Sequence, residues 1–445
     1  MAGRFHLVTL GCPKNAVDSD KIAAALGADG LEATDDAATA DLVVVNTCAF
    51  VEEARRESVD TVLALADLVT GDARLVVTGC MAERYGAELA AALPEVHAVV
   101  GFAGAGDIAA TVPVTLRARP GPSGPQGVRD LLELPRAAPS APWAYLKVAE
   151  GCDRACAFCA IPSFRGKQRS RTPDAVVAEA RGLVQGGVRE LVLVAQDLAW
   201  YGRDADAPGA LAPLLRRLDH ELAPEGLRRI RLLYLYPSEV KDPLVATMLE
   251  VPTVVPYFDL SLQHAARGLL ARMARWGSGD RFLETITDIR RAEPAAAFRS
   301  SFIVGFPGET EADHDELLAF LDAAQLDWAG FFPYSPEEGT PAASRTATVP
   351  AVLAAERIRE CETAQSAITQ AARDELVAVG AGLRVLVDAT AGGRAVGRTH
   401  REAPEIDGVV TIDAAGPWAP GDEVDAIAVG AVGPDLVARP AGVPG

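Results

Sequence analysis

AYLKVAEGCDRACAFC, residues 144–159, is the stretch that decides the fold. An apolar strand pattern ends at Gly151, and three cysteines follow at C-x3-C-x2-C: Cys152, Cys156 and Cys159. A strand that runs straight into reactive side chains is the plan of a βα barrel, which does its chemistry at the carboxyl ends of its strands. Five more strand candidates follow, mostly separated by helical patterns: ELVLVAQD (190–197), IRLLYLYP (230–237), YFDLSLQ (257–263), FRSSFIVGF (298–306) and WAGFFPYS (328–335). Six βα units predict a barrel left incomplete, over residues 143–375, and residues 350–379 read as one long helix.

Upstream, residues 1–111 alternate strand and helix around FHLVTL, DLVVVNT and RLVVTG, which predicts an open parallel α/β sheet with right-handed crossovers. Residues 112–142 are dense in Pro and Gly and read as a linker. Downstream, residues 382–445 hold the short strands GLRVLVDA, GRAVGRTH, GVVTIDA and DEVDAIAVG, a small all-β barrel. The fold class is therefore α/β with a C-terminal all-β module. No run of 18 apolar residues predicts a membrane span, and the start MAGRFHLVTLGC lacks a secretory signal, so the expected location is cytoplasmic.

Three thiols in eight residues leave a metal cage one ligand short. Structural zinc closes four ligands. None of the six histidines, His6, His97, His220, His264, His314 and His400, lies beside the motif. A [4Fe–4S] cluster held by three thiolates instead keeps one iron open to a substrate or cofactor. Zinc predicts a colourless protein, and iron a brown, oxygen-sensitive one.

C-x3-C-x2-C after the first strand of a six-strand barrel resembles the radical S-adenosylmethionine superfamily. The resemblance implies that the open iron chelates S-adenosylmethionine and that an electron from the cluster cleaves it to a 5′-deoxyadenosyl radical. It also implies cofactor contacts on FIVGFPGET (302–310), with Gly305, Gly308 and Glu309, and at Gln263. Glu309 keeps a second reading from the residues alone, since it fits the first turn of a helix, and His264, the neighbour of Gln263, fits a core position as well as the cofactor's side.

The N-terminal strands repeat the theme. HLVTLGC, LVVVNTC and RLVVTGC each end in a cysteine, at Cys12, Cys48 and Cys80, about one βαβ unit apart. If the strands are neighbours, the thiols converge at the carboxyl edge, where open sheets bind ligands. Three packed cysteines are the plain alternative, and a second three-thiolate cluster the chemical one. Lys14 and Asn15 either orient a ligand there or cap the next helix. Cys361, in the long helix, reads as packed.

Two such triads with a small C-terminal β-module are similar to the methylthiotransferases, over nearly the whole chain. GCPKNAVDSD (11–20), AEGCDRACAFCAIPSFRGKQRSR, AQDLAWYG and LYLYP resemble the branch that modifies ribosomal protein S12, with Asp20 where Glu is common. The resemblance implies two [4Fe–4S] clusters, methylthio transfer to an aspartate β-carbon, and a TRAM-like module at the C-terminus. It also implies an electron donor such as flavodoxin and a source of sulfur. The other readings are methylthiolation of transfer-RNA adenosine and a non-catalytic two-cluster electron carrier or sensor.

Charge bears on the choice. The net charge is −19 overall. Between Gly382 and Gly445 it is −4, with Trp418 the one Trp, Tyr or Phe. A phosphate-tracking module should be basic and rich in aromatics, so direct nucleic-acid binding is not expected. Only the run RGKQRSR (165–171) points to an anion, and it fits phosphate, a carboxylate or a solvated face.

Overall fold

The computed structural model describes residues 3–69, 71–111, 130–414 and 416–442. The Pro/Gly-rich part of the expected linker, 112–129, lies outside them. Its remainder is tied down: Leu131 packs in the apolar cluster of the N-terminal sheet, Leu132 is buried, and Lys21 Nζ donates to the Leu132 carbonyl at 2.5 Å.

The N-terminal layer runs β1 (Arg4–Thr9), α1 (Pro13–Ala28), β2 (Glu32–Ala33), β3 (Leu42–Thr47), α2 (Glu52–Ala66), β4 (Arg74–Gly79), α3 (Cys80–Ala92) and β5 (Ala98–Val100). The strands form one parallel sheet in the order β2-β1-β3-β4-β5. Its middle strands, LVVVNT and RLVVTG, are nearly all buried, as a sheet covered on both faces requires. The two edge strands, of two and three residues, are too short to carry a pattern.

The central unit begins with β6 (Trp143–Lys147), then β7 (Ala149–Glu150), α4 (Ile161–Arg165), β8 (Arg169–Ser170), α5 (Pro173–Gln185), β9 (Glu190–Val194), α6 (Leu211–Leu222), β10 (Arg229–Leu235) and α7 (Asp242–Glu250). It continues through β11 (Val254–Gln263), α8 (Arg267–Arg272), α9 (Gly279–Ala292), β12 (Ala297–Val304), α10 (Glu311–Ala324), β13 (Trp328–Pro333) and α11 (Ala351–Ala378). The six expected strands form one open parallel sheet, β13-β12-β11-β10-β9-β6. Helix α1 lies along β6, and its Val17 joins Tyr145, Val192, Leu233 and Tyr257 in one apolar cluster. The N-terminal unit is thus built into the barrel at that edge. Cys361 of α11 is fully buried, as expected.

The C-terminal unit is a closed barrel of β14 (Gly382–Ala391), β15 (Arg394–Arg398), β16 (Val410–Ile412), β17 (Glu423–Val432) and β18 (Asp435–Pro440). DLVARP, the last strand, ends on a proline and was not expected from sequence. Trp418, half-buried, packs on this barrel's core.

The module grips the amino-terminal ends of the large barrel's strands. Arg229 donates to the carbonyls of Arg398 (2.7 Å) and Arg384 (2.8 Å), Trp328 Nε1 to that of Arg401 (2.6 Å), and Tyr257 Oη to Asp407 (2.6 Å). Glu190, wholly buried, accepts from Arg231 Nε (2.7 Å) and Arg398 Nη1 (2.8 Å). Burial alone would raise the Glu190 pKa, but Arg398, Arg231 and Arg229 outweigh it and hold the carboxyl down to about 2. Because the folded pKa is depressed, the stabilisation is complete above the unfolded value near 4.5 and is lost as pH falls toward 2. Glu190→Gln, which leaves two buried guanidiniums short of a counter-charge, is expected to cost about 3–5 kcal/mol by denaturant titration at neutral pH. The gap between the two proteins should shrink as the titration is repeated between pH 4.5 and 2.

Candidate functional site: two cysteine triads at one mouth

Strands β1, β3 and β4 are adjacent, so Cys12, Cys48 and Cys80 stand together at their carboxyl ends. Cys12 is the N-cap of α1 and Cys80 opens α3, positions where the helix dipole favours a thiolate. The packing is close: a Cβ on Gly11 would meet Cys48 Sγ at 2.9 Å. Asn15 fixes the cradle. Its Nδ2 donates to the carbonyls of Leu10 (2.8 Å) and Thr47 (3.0 Å), and its Oδ1 lies 3.5 Å from Cys80 Sγ. Neither Asn15 nor Lys14 caps α1. Lys14 Nζ sits 3.4 Å from the centre of the Tyr234 ring, at the end of β10.

The other triad occupies the loop between β7 and α4. Gly151 turns the chain into it at φ 76°, and Cys152 N–H donates to Gly166 O at 3.1 Å. Ala157 N–H donates to Met273 O and Ala157 O accepts from Ala342 N–H, both at 2.9 Å, which pins the loop's middle. Arg154 donates to Asp197 (2.7 Å) and Glu239 (3.2 Å), flanked by the Trp200 and Tyr236 rings. Arg275 Nη1 lies 3.5 Å from Cys156 Sγ. Arg154, Arg275, Tyr234 and Asp18 went unremarked in the sequence, since nothing local marks them.

Arg165 of α4 joins the triads. Its Nη2 donates to Cys80 Sγ (3.0 Å) and Asn15 Oδ1 (2.6 Å), and its Nη1 to Asp18 (3.0 Å) and Glu150 (2.9 Å). Lys147 completes the group on Asp18 and Glu150. The run 165–171 is split: Arg165 and Arg171 are buried among carboxylates and are no open anion site, while Lys167 and Arg169 lie on the solvated face. Arg171 is buried on Glu133 and Glu179, and Arg169 pairs with Asp130.

The thiols sit in unequal fields. Burial pushes Cys48 and Cys159 up to about 12 and raises Cys80 and Cys152. At Cys12 burial is outweighed by the charges of Lys14 and Arg165, and the pKa falls. Among the described residues no set of three or more His, Cys, Asp or Glu is arranged to hold a single metal ion. A lone zinc needs sulfurs about 3.8 Å apart, the tetrahedral consequence of a 2.3 Å Zn–S bond. A four-iron cube, with sulfides between its metals, spaces its thiolates more widely, and a donor set of three thiols is of the chemistry it takes.

The expected cofactor strand keeps its glycine turn, and Glu309 proves not to lie in the following helix. Gly305 (φ 82°) and Gly308 (φ 84°) both adopt a backbone that favours glycine. Glu309 precedes the N-cap Thr310 and so is outside the helix. Its carboxylate accepts from the backbone of Gly305 (2.5 Å) and Phe306 (3.2 Å) and from Arg357 (3.0 Å), which shapes the loop from within. Gln263 ends β11 at φ 74°. His264 is fully buried, and burial lowers its pKa to about 3, which makes it a neutral core residue.

Comparison with known proteins follows the same three parts. Residues 4–101 match the uncharacterized protein family UPF0004, residues 146–321 the radical SAM superfamily and residues 379–440 the TRAM domain. The ribosomal protein uS12 methylthiotransferase RimO of Saccharopolyspora erythraea is 43% identical over 99% of this chain and 95% of its own. The chain belongs to the ribosomal protein uS12 methylthiotransferase family. Family members of the same name from Cutibacterium acnes and Moorella thermoacetica are each 44% identical, over 98% and 92% of this chain and 98% and 93% of their own. Among solved structures, the radical S-adenosylmethionine methyltransferase TsrM of Kitasatospora setae, with cobalamin and a [4Fe-4S] cluster bound, matches with a TM-score of 0.52. At 16% identity over 89% of this chain and 81% of that one, the likeness is one of fold. Membership of the radical SAM superfamily carries with it an iron–sulfur cluster and S-adenosylmethionine.

In this uS12 methylthiotransferase family member the turn at Gly151 is a testable constraint. A Cβ there would lie 2.7 Å from Gly166 O and 2.6 Å from the Lys167 carbonyl carbon, both backbone. Gly151→Ala is expected to cost about 1–3 kcal/mol of strain. It should also lower the iron bound after anaerobic reconstitution, as the loop of Cys152, Cys156 and Cys159 is displaced.

Proposed function

We propose that this chain transfers a methylthio group to the β-carbon of an aspartate in ribosomal protein S12. Two [4Fe–4S] clusters would serve it, one on Cys152, Cys156 and Cys159 and one on Cys12, Cys48 and Cys80. The observation that carries the reading is the meeting of two three-thiol sets at one mouth. Arg165 touches Cys80 with its side chain, while the next residue, Gly166, takes the Cys152 N–H. With three thiolates apiece each cluster keeps an iron open, one for S-adenosylmethionine, whose reductive cleavage gives a radical able to take an unacidic hydrogen, and one for the sulfur to be transferred.

The chain's own residues hold this arrangement still. Arg275 brings positive charge to the S-adenosylmethionine side, where a carboxylate would bind, while Asp197 and Glu239 hold Arg154 in the loop. Glu309 holds the Gly305–Gly308 turn so that its backbone faces the mouth at close range. Lys14, on the Tyr234 ring, places a cation beside Cys12.

A cytoplasmic enzyme with an acidic surface suits a basic protein substrate better than RNA. In the C-terminal barrel Arg384, Arg394, Arg398 and Arg401 are each paired with a carboxylate. That barrel sits at the far ends of the strands, so a substrate docked on it must extend roughly 20 Å to reach the mouth. An electron donor such as flavodoxin and a sulfur source complete the system.

The test is one anaerobic reaction. Protein reconstituted with iron and sulfide receives S-adenosylmethionine, a reductant, ribosomal protein S12 and unmodified transfer RNA. A methylthio mass gain on an S12 aspartate peptide is expected. A gain on the RNA would move the chain to the other substrate, and no gain on either would leave a two-cluster carrier. Cys→Ala at 152, 156 or 159 is expected to abolish formation of 5′-deoxyadenosine, and full cleavage in any of the three would refute the ligand assignment.

A further inference from the structure

Among the described residues Arg165 is the one cation that hydrogen-bonds a thiol of the N-terminal triad. Its guanidinium is almost wholly buried, at 3% exposure, and cannot lose its proton. It presents Nη2 to Cys80 Sγ at 3.0 Å, and Asp18 and Glu150 hold its other nitrogen at about that distance. The central triad has no equal. There, Arg275 stands at 3.5 Å from Cys156, is only partly buried, and lies also over the Tyr236 ring.

Hydrogen bonds and positive charge at a cluster's sulfurs favour its reduced, more negative state, and do so most where water is excluded. We infer that Arg165 is a positioning residue that raises the reduction potential of the cluster on Cys12, Cys48 and Cys80, so that this cluster accepts the electron released when the carbon–sulfur bond forms. The inference rests on the function proposed above. A carbon radical brings one electron to that bond and a sulfur anion brings two. Two make the bond and the third passes to the core of the cluster that would hold the sulfur, as the sulfur's own negative charge leaves with the bond. A fixed guanidinium on Cys80 favours the electron on that core. Arg165 also leans on Glu150, two residues before Cys152, so the same side chain sets the spacing of the two centres.

The experiment uses the full-length chain carrying C152A, C156A and C159A, so that only the N-terminal cluster loads. Its midpoint is followed by electron paramagnetic resonance under redox titration, with iron counted per chain. Arg165→Gln is expected to lower the midpoint by a tenfold or greater change in the reduction equilibrium, about 59 mV for one electron. Arg165→Lys should restore part of the shift. Asp18→Asn keeps the guanidinium and removes a carboxylate behind it, so its midpoint should rise. If Arg165→Gln fails to hold iron, Asp18→Asn decides alone: a rise supports the inference, and an unchanged midpoint overturns it. Unchanged midpoints in iron-loaded Arg165→Gln overturn it directly. A parent chain that binds no iron at all would instead refute the second cluster itself.

Discussion

One buried cation network holds the two halves of the mouth together. Asp18 comes from the N-terminal unit, Lys147 and Glu150 from the first barrel strand and the loop entry, and Arg165 from the short helix after the cysteine loop. None of these charges could be buried alone without a penalty of several kcal/mol. Together each has a counter-ion and hydrogen bonds, and the condition for that is a single relative placement of the two sheets. The distance between the thiol sets is thus fixed by the requirement that four charges be satisfied at once.

A second contact closes the opposite side. Glu337, after the last barrel strand, takes Arg55 at 2.5 Å and Arg84 at 2.6 Å, from α2 and α3 of the N-terminal unit. The N-terminal sheet is therefore held at both ends of the barrel's open rim, by the loop after the first strand and the loop after the last. An incomplete barrel leaves two strand edges where a closed one has none, and here the gap is spanned by another domain.

The sequence made the strands legible wherever they were buried on both sides, since LVVVNT, RLVVTG and ELVLV can do little else. It made the thiols legible through spacing. β2 and β5 stayed hidden because two or three residues hold no pattern, and DLVARP because its proline and charges look like a turn. The pairing inside the basic run 165–171 was hidden for a different reason. A string of arginines looks solvated, and their partners Asp18, Asp130 and Glu133 lie 147, 39 and 38 residues away. Charge pairing is decided by tertiary contacts, and Glu309 shows the same thing at short range, since its partners are backbone amides and a helix far along the chain.

The C-terminal module looks in sequence like an appendage, an adaptor carried on the end of an enzyme. Its link between β15 and β16 instead sends Ala403 into the apolar lumen of the large barrel, and sets Asp407 under Tyr257. It is the floor of the catalytic domain. An incomplete barrel without that stopper would open its interior to water from below, with Arg229, Tyr257 and Trp328 stripped of their partners. The outward face of such a module is free of that duty, but the inward face cannot be shed or exchanged for one that does not plug the hole.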